Sequence, residues 1–225
     1  MNRLFLILIL FAVPFYSGAQ EKAAKDSTYA NGYYVKRLKY FETLPVQKNP
    51  IVFLGNSITE VGQWQDVTGL NNVINRGISG DNSYGVFYRL DPVLKQKPSK
   101  IFLLIGVNDI KRGTPVEDIA RNYERIILKV KHDAPKTKLY LQSVLPVTES
   151  ILASIYDNIR NPRIIALNKL MKELSVKHNL PYVDLFNVFK DENGQLVRSL
   201  TTDGLHLQPE AYVIWANYLK KMKYL

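Results

Sequence analysis

The sequence predicts one doubly wound α/β domain, a flavodoxin-like sandwich in which a five-stranded parallel sheet lies between two layers of helices. Five short apolar runs, each closed by glycine or polar residues, alternate with longer amphipathic stretches, and that alternation is the signature of parallel strands joined by helical crossovers. The length of 225 residues suits one such domain with elaborations, at a prior of about 150 residues per domain. With 46% hydrophobic and 22% charged residues, the chain can bury a sizeable core and is neither disordered nor polytopic.

In chain order, residues 1–19 read as a secretory leader. Arg3 supplies a positive start, Leu4 to Val13 is an uninterrupted apolar run, and Ser17, Gly18 and Ala19 form a small-residue cleavage pattern. The apolar run is shorter than the roughly 20 residues needed to cross a bilayer, so a secreted or periplasmic protein without stable membrane insertion is expected. Residues 20–49 form an N-terminal extension whose stretch from Ala30 to Leu44 places Tyr33, Tyr34, Leu38 and Phe41 at helical spacing and ends at Pro45. The main domain is expected over 50–225. Its strands are expected at Ile51 to Leu54, Val73 to Asn75, Ile101 to Ile105, Leu139 to Val144 and Tyr182 to Leu185. Its helices are expected at Ser83 to Gln96, Pro115 to His132, Asn161 to His178 and Pro209 to Met222, with Pro115 and Pro209 placed as first-turn prolines.

The formal net charge of +10 raises the question of a polyanionic partner. The basic residues are scattered, however, and form no recognisable nucleic-acid motif, so a solvated surface and no nucleic-acid partner are expected. The absence of cysteine removes disulfides, thiolate metal sites and a cysteine nucleophile. The three histidines show no metal-ligating spacing, and no cofactor or metal is expected.

Ligands of such sheets bind beyond the carboxyl ends of the strands. There the chain reads Gly55, Asn56, Ser57 after the first run, Asn75 to Asp81 with two glycines after the second, and Gly106, Val107, Asn108, Asp109 after the third. Asp203, Gly204, Leu205 and His206 precede the last helix. A serine, a glycine loop, an asparagine and an Asp/His pair are the parts of a serine hydrolase.

The runs GNSIT, NRGISGDNS, GVNDI and DGLHL, in this order, resemble the four blocks of the SGNH/GDSL hydrolase family across residues 50 to 222. The spacing is similar to that of its acetylhydrolase branch, typified by the platelet-activating-factor acetylhydrolase catalytic subunits. The resemblance implies Ser57 as nucleophile, Gly80 and Asn108 as oxyanion donors, and Asp203 with His206 to complete a triad. Asn56 departs from the family's usual aspartate.

The residues themselves support the same chemistry. A serine hydroxyl needs a base to take its proton, and an aspartate on one imidazole nitrogen leaves the other free to face the serine. His132 and His178 lie late in expected helices, where the dipole accounts for them, whereas His206 lies in a loop three residues after Asp203. Gly80 offers a close backbone N–H, Asn108 a side-chain amide, and Ser57 its own N–H for a developing oxyanion. The alternative role for Ser57 is a helix N-cap; for the glycines and Asn108 it is turn geometry. The expected function is a serine esterase acting on short, acetyl-type esters of a carbohydrate or other polar alcohol, with a lysophospholipase or thioesterase as the alternative. From other classes, a flavodoxin-like phosphate-cradling protein or a non-catalytic glycan-binding protein remains open.

Overall fold

A computed structural model describes residues 27–225; the leader expected over 1–19 lies outside the described residues. The first helix, α1 (Gly32–Thr43), is capped by the Asn31 side chain, which accepts from Tyr34 N. Then follow β1 (Ile51–Gly55), α2 (Ser57–Val61), α3 (Trp64–Thr68), β2 (Val73–Gly77), α4 (Ser83–Tyr88), α5 (Leu90–Leu94), β3 (Lys100–Leu104) and α6 (Val107–Lys111). The second half contains α7 (Val116–Asp133), β4 (Lys138–Gln142), α8 (Asn161–Lys177), β5 (Tyr182–Val183), α9 (Leu185–Phe189) and α10 (Pro209–Lys221).

The five strands form one parallel sheet in the order β2-β1-β3-β4-β5. From β1 the chain first steps outward to β2, then returns to the other side of β1 with β3. The carboxyl ends of β1 and β3 therefore flank the crevice where strand order reverses. On one sheet face Phe53, Phe102 and Tyr140 occupy paired positions on β1, β3 and β4 and stack at centroid distances of 5.0 and 4.5 Å. Trp64 of α3 stacks on Phe53 at 3.8 Å, and Trp215 of α10 packs edge-on to Trp64. On the other face α7 packs against α4, α5 and α8. Its buried Ile119, Tyr123, Ile126, Ile127 and Val130 recur at helical spacing, which is why this 18-residue stretch forms one amphipathic helix.

The structure departs from the sequence reading in local ways. The helix expected over Ser83 to Gln96 is two short helices with Arg89 between them in a non-helical conformation, φ −101° and ψ 15°. Pro92 lacks the N–H that would bond to the carbonyl of Tyr88, so one continuous helix cannot pass this point. Pro115 is the N-cap of α7 rather than its first helical residue, whereas Pro209 does begin α10. The fourth strand ends at Gln142 and the fifth at Val183, after which the chain turns at once into α9.

Candidate active site

β1 runs into α2 through a single residue, Asn56. Its side chain accepts from Ile58 N at 3.1 Å and so caps the helix. The cap role considered for Ser57 therefore belongs to Asn56, and the Ser57 hydroxyl is left free. Asn56 is fully buried, and its Nδ2 has no hydrogen-bond partner among the described residues. Gly55 makes the turn possible, because a Cβ there would collide with the Leu104 carbonyl oxygen and Thr59 Oγ1.

Ser57 Oγ lies 3.1 Å from His206 Nε2, across 149 residues of sequence. His206 Nδ1 lies 2.6 Å from Asp203 Oδ2. The other carboxylate oxygen of Asp203 accepts from the amides of Leu205 at 2.9 Å and His206 at 2.8 Å. Burial by itself would raise the Asp203 pKa; the bonds from the His206 ring and the two amides outweigh it and hold the carboxyl below its ordinary value. The loop that carries this pair is fixed by its surroundings. Gly204 has φ +84° and its carbonyl accepts from Thr148 N at 2.9 Å, in a place where a Cβ would press on the Thr148 carbonyl. Thr201 and Leu207 close the loop with an antiparallel bridge. His132 is exposed beside Asp133, and His178 caps α8 and contacts Glu124, so neither reaches Ser57.

Gly80 sits between β2 and α4 at φ +80°. Asn108 lies in the first turn of α6 rather than at a bare strand end, and its Nδ2 donates to the Asp81 carbonyl at 2.9 Å, which ties the two loops together. One amide hydrogen of Asn108 remains for another acceptor. Arg112 donates to the Gly80 carbonyl at 2.9 Å and to the Asn108 carbonyl at 3.3 Å, so one guanidinium spans both segments.

Two buried aspartates to which the sequence assigned no role build this rim. Asp81 pairs with Arg89 Nε at 2.8 Å, and Arg89 Nη2 reaches the Gly55 carbonyl at 2.9 Å. Burial pushes the Asp81 carboxyl up to about 6 despite Arg89. Asp109 accepts from Ser83 N at 3.0 Å and Ser83 Oγ at 2.5 Å, and so anchors the start of α4. Among the described residues it pairs with no cation, and burial pushes it up to about 7. The only sequence signal for either was an acidic residue beside a glycine or asparagine at a strand end. Among the described residues no three histidine or acidic side chains gather to hold a metal ion.

A serine hydroxyl, imidazole and carboxylate in one hydrogen-bonded row can move a proton off the hydroxyl as it attacks. The segments that carry Gly80 and Asn108 are joined through the Asp81 carbonyl, and Ile78 N and Arg89 tie the first of them to the Gly55 carbonyl, two residues before Ser57.

The profile of the GDSL-like lipase/acylhydrolase family matches residues 53–214. Platelet-activating factor acetylhydrolase IB subunit alpha2 of Gallus gallus is 26% identical over 171 residues, which cover 72% of this chain and 70% of that one. N-acylneuraminate cytidylyltransferase of Streptococcus agalactiae serotype V is 26% identical over 144 residues, 64% of this chain. The match spans only 33% of that curated relative's length. Among solved structures, a GDSL-like lipase from Bacteroides thetaiotaomicron superposes with a TM-score of 0.72 at 27% identity, covering 88% of this chain and 100% of the other.

Proposed function

Since the chain belongs to the GDSL-like lipase/acylhydrolase family, we propose that it is a serine esterase that hydrolyses short acyl esters, acetyl above all, of a carbohydrate or another polar alcohol. The observation that carries this reading is the row Ser57, His206, Asp203 with its contacts of 3.1 and 2.6 Å. In the reaction His206 takes the proton of Ser57 as its oxygen attacks the ester carbonyl. Asp203 stabilises the imidazolium that forms, and the N–H groups of Ser57, Gly80 and Asn108 receive the oxyanion. Collapse of the tetrahedral adduct expels the alcohol, which takes the proton from His206 and leaves an acyl-enzyme. Water activated by the same imidazole then frees the acid. The acetyl preference draws on the acetylhydrolase relative, and a secreted or periplasmic location draws on the pattern of residues 1–19.

One observation favours a second reading. A cavity of about 170 Å³ is lined by Val61, Gln63, Val67, Leu207, Pro209 and Tyr212; Leu207 follows His206 in the chain, and Val61 lies one helical turn beyond Ser57. Its apolar lining suits a longer acyl chain, as in a lysophospholipase or thioesterase. A nitrophenyl ester series from acetyl to decanoyl decides between them. Highest kcat/KM at acetyl, with acetate released from acetylated glycans, supports the first; a maximum at six carbons or more supports the second. No hydrolysis of any member would overturn both.

A further inference from the structure

Helix α1 lies outside the residues matched by the family profile, yet it holds the loop that carries Gly80. Its apolar side does so through Ile78, which is fully buried with Tyr29, Tyr34 and Tyr84 in a cluster separate from the main core, with Leu38 and Phe41 packed on it. Tyr34 adds a hydrogen bond from its hydroxyl to the Gly85 carbonyl at 2.9 Å.

The polar connection runs through Glu60, in α2. One carboxylate oxygen accepts from Ser79 N at 2.6 Å and from Ser79 Oγ at 2.5 Å. The other accepts from the Tyr33 hydroxyl at 2.7 Å and lies 2.8 Å from Arg37 Nε, both on α1. Three hydrogen-bond donors and the Arg37 guanidinium converge on one side chain that is 11% exposed. A carboxylate turns an acceptor oxygen to each side; a carboxamide would present an N–H₂ group either to the two Ser79 donors or to the Tyr33 hydroxyl and the Arg37 cation.

Ser79 immediately precedes Gly80, and apart from its two chain neighbours no described atom lies within 4 Å of where a Gly80 Cβ would be. The direction of its N–H therefore depends on the peptide planes on either side. On the far side Arg112 grips the Gly80 carbonyl and Asp81 N bonds back to the Ile78 carbonyl at 3.1 Å. On the near side the grip is Glu60. We infer that Glu60 is a positioning residue for the Gly80 amide, and that α1, through Tyr33 and Arg37, holds Glu60 in that position. This rests on the reading of Gly80 as an oxyanion donor. Preorganised donors act by being aimed before charge develops, so their loss falls on turnover rather than on substrate affinity.

The test uses the full chain with nitrophenyl acetate, comparing wild type, Ser57→Ala, Glu60→Gln and the pair Tyr33→Phe with Arg37→Met. Glu60→Gln is expected to lower kcat by about tenfold while KM stays within about twofold, and to weaken a boronic acid inhibitor, which mimics the tetrahedral adduct, by a similar factor. The α1 pair is expected to lower kcat about threefold in the same pattern. A Glu60→Gln protein with wild-type kcat and wild-type inhibitor affinity overturns the inference, as does a loss that follows only the folded fraction measured by circular dichroism. Should Glu60→Gln fail to fold, the α1 pair decides, and an unchanged kcat there overturns it. A Ser57→Ala protein as active as wild type would instead overturn the underlying reading of the site, and the inference with it.

Discussion

Phe53 in the middle of β1 and Asn56 just past its end lie three residues apart, and both are fully buried, yet what holds each is different. Phe53 is stacked between Trp64 and Phe102, contacts that depend on shape and area and have no direction. Asn56 is held by one directed bond to Ile58 N. The same change occurs where β3 passes from stacked Phe102 to Asn108, whose amide is tied to the Asp81 carbonyl. The middle of the sheet is kept by burial, and its carboxyl rim by hydrogen bonds each with one partner. Substitutions in the two regions should therefore separate stability from turnover.

The largest effect is expected at the rim. Ser57→Ala and His206→Ala should each lower kcat by at least about 10⁴-fold, and the double variant should be no worse, because residues acting as a unit are not additive. Melting temperatures should stay near wild type, since Ser57, His206 and Asp203 bond one another at a partly exposed rim rather than in the core. Independent, multiplying losses would break the unit.

Phe102→Ala should do the reverse. Removal of a fully buried ring between two stacked neighbours should destabilise the fold by about 3 to 5 kcal/mol in denaturant titrations, with turnover per folded molecule unchanged. A fall in turnover parallel to stability would erase the distinction between core and rim.

Asn108→Ala sharpens the comparison, because this proposed oxyanion donor also ties two loops together. Turnover should fall about 10²- to 10³-fold with KM within a few-fold. Stability should fall by about 1 kcal/mol as the Asp81 carbonyl loses its donor. A greatly raised KM with unchanged kcat would make Asn108 a substrate-positioning group.

The mildest effect concerns pH. Asp109 is raised to about 7 from an ordinary 3.8, so the folded state holds its proton more tightly than the unfolded state does. Its contribution to stability is full below about pH 4 and is lost as pH rises through 7. Asp109→Asn cannot ionise, so its melting temperature relative to wild type should rise between pH 5 and 8. Asp81, raised to about 6, leaves some slope of the same sign in the variant. A constant difference across this range would mean that Asp109 keeps its charge with Ser83 alone as partner.

Much of the fold could be read from the chain because strand and helix periods are local properties. Ile51 to Leu54 and Ile101 to Ile105 are apolar runs that suit strands covered on both faces, and each lies within one residue of the observed strand. The break at Arg89 was local too, in that Pro92 lies inside the stretch. The polar runs after the strands marked the rim for the same local reason.

Composition and periodicity by themselves determined the parallel α/β order, the helical crossovers and the polar character of the strand ends, since each of these follows from neighbours a few residues apart. The loop position of His206 three residues after Asp203 had already singled it out, but tertiary structure alone brought it to Ser57, made Asn56 rather than Ser57 the cap of α2, and joined α1 to Ser79 through Glu60. The physical reason is that a hydrogen bond requires its partners within about 3 Å and in line. Residues 149 apart in the chain reach that geometry only when the sheet has brought their loops to the same edge.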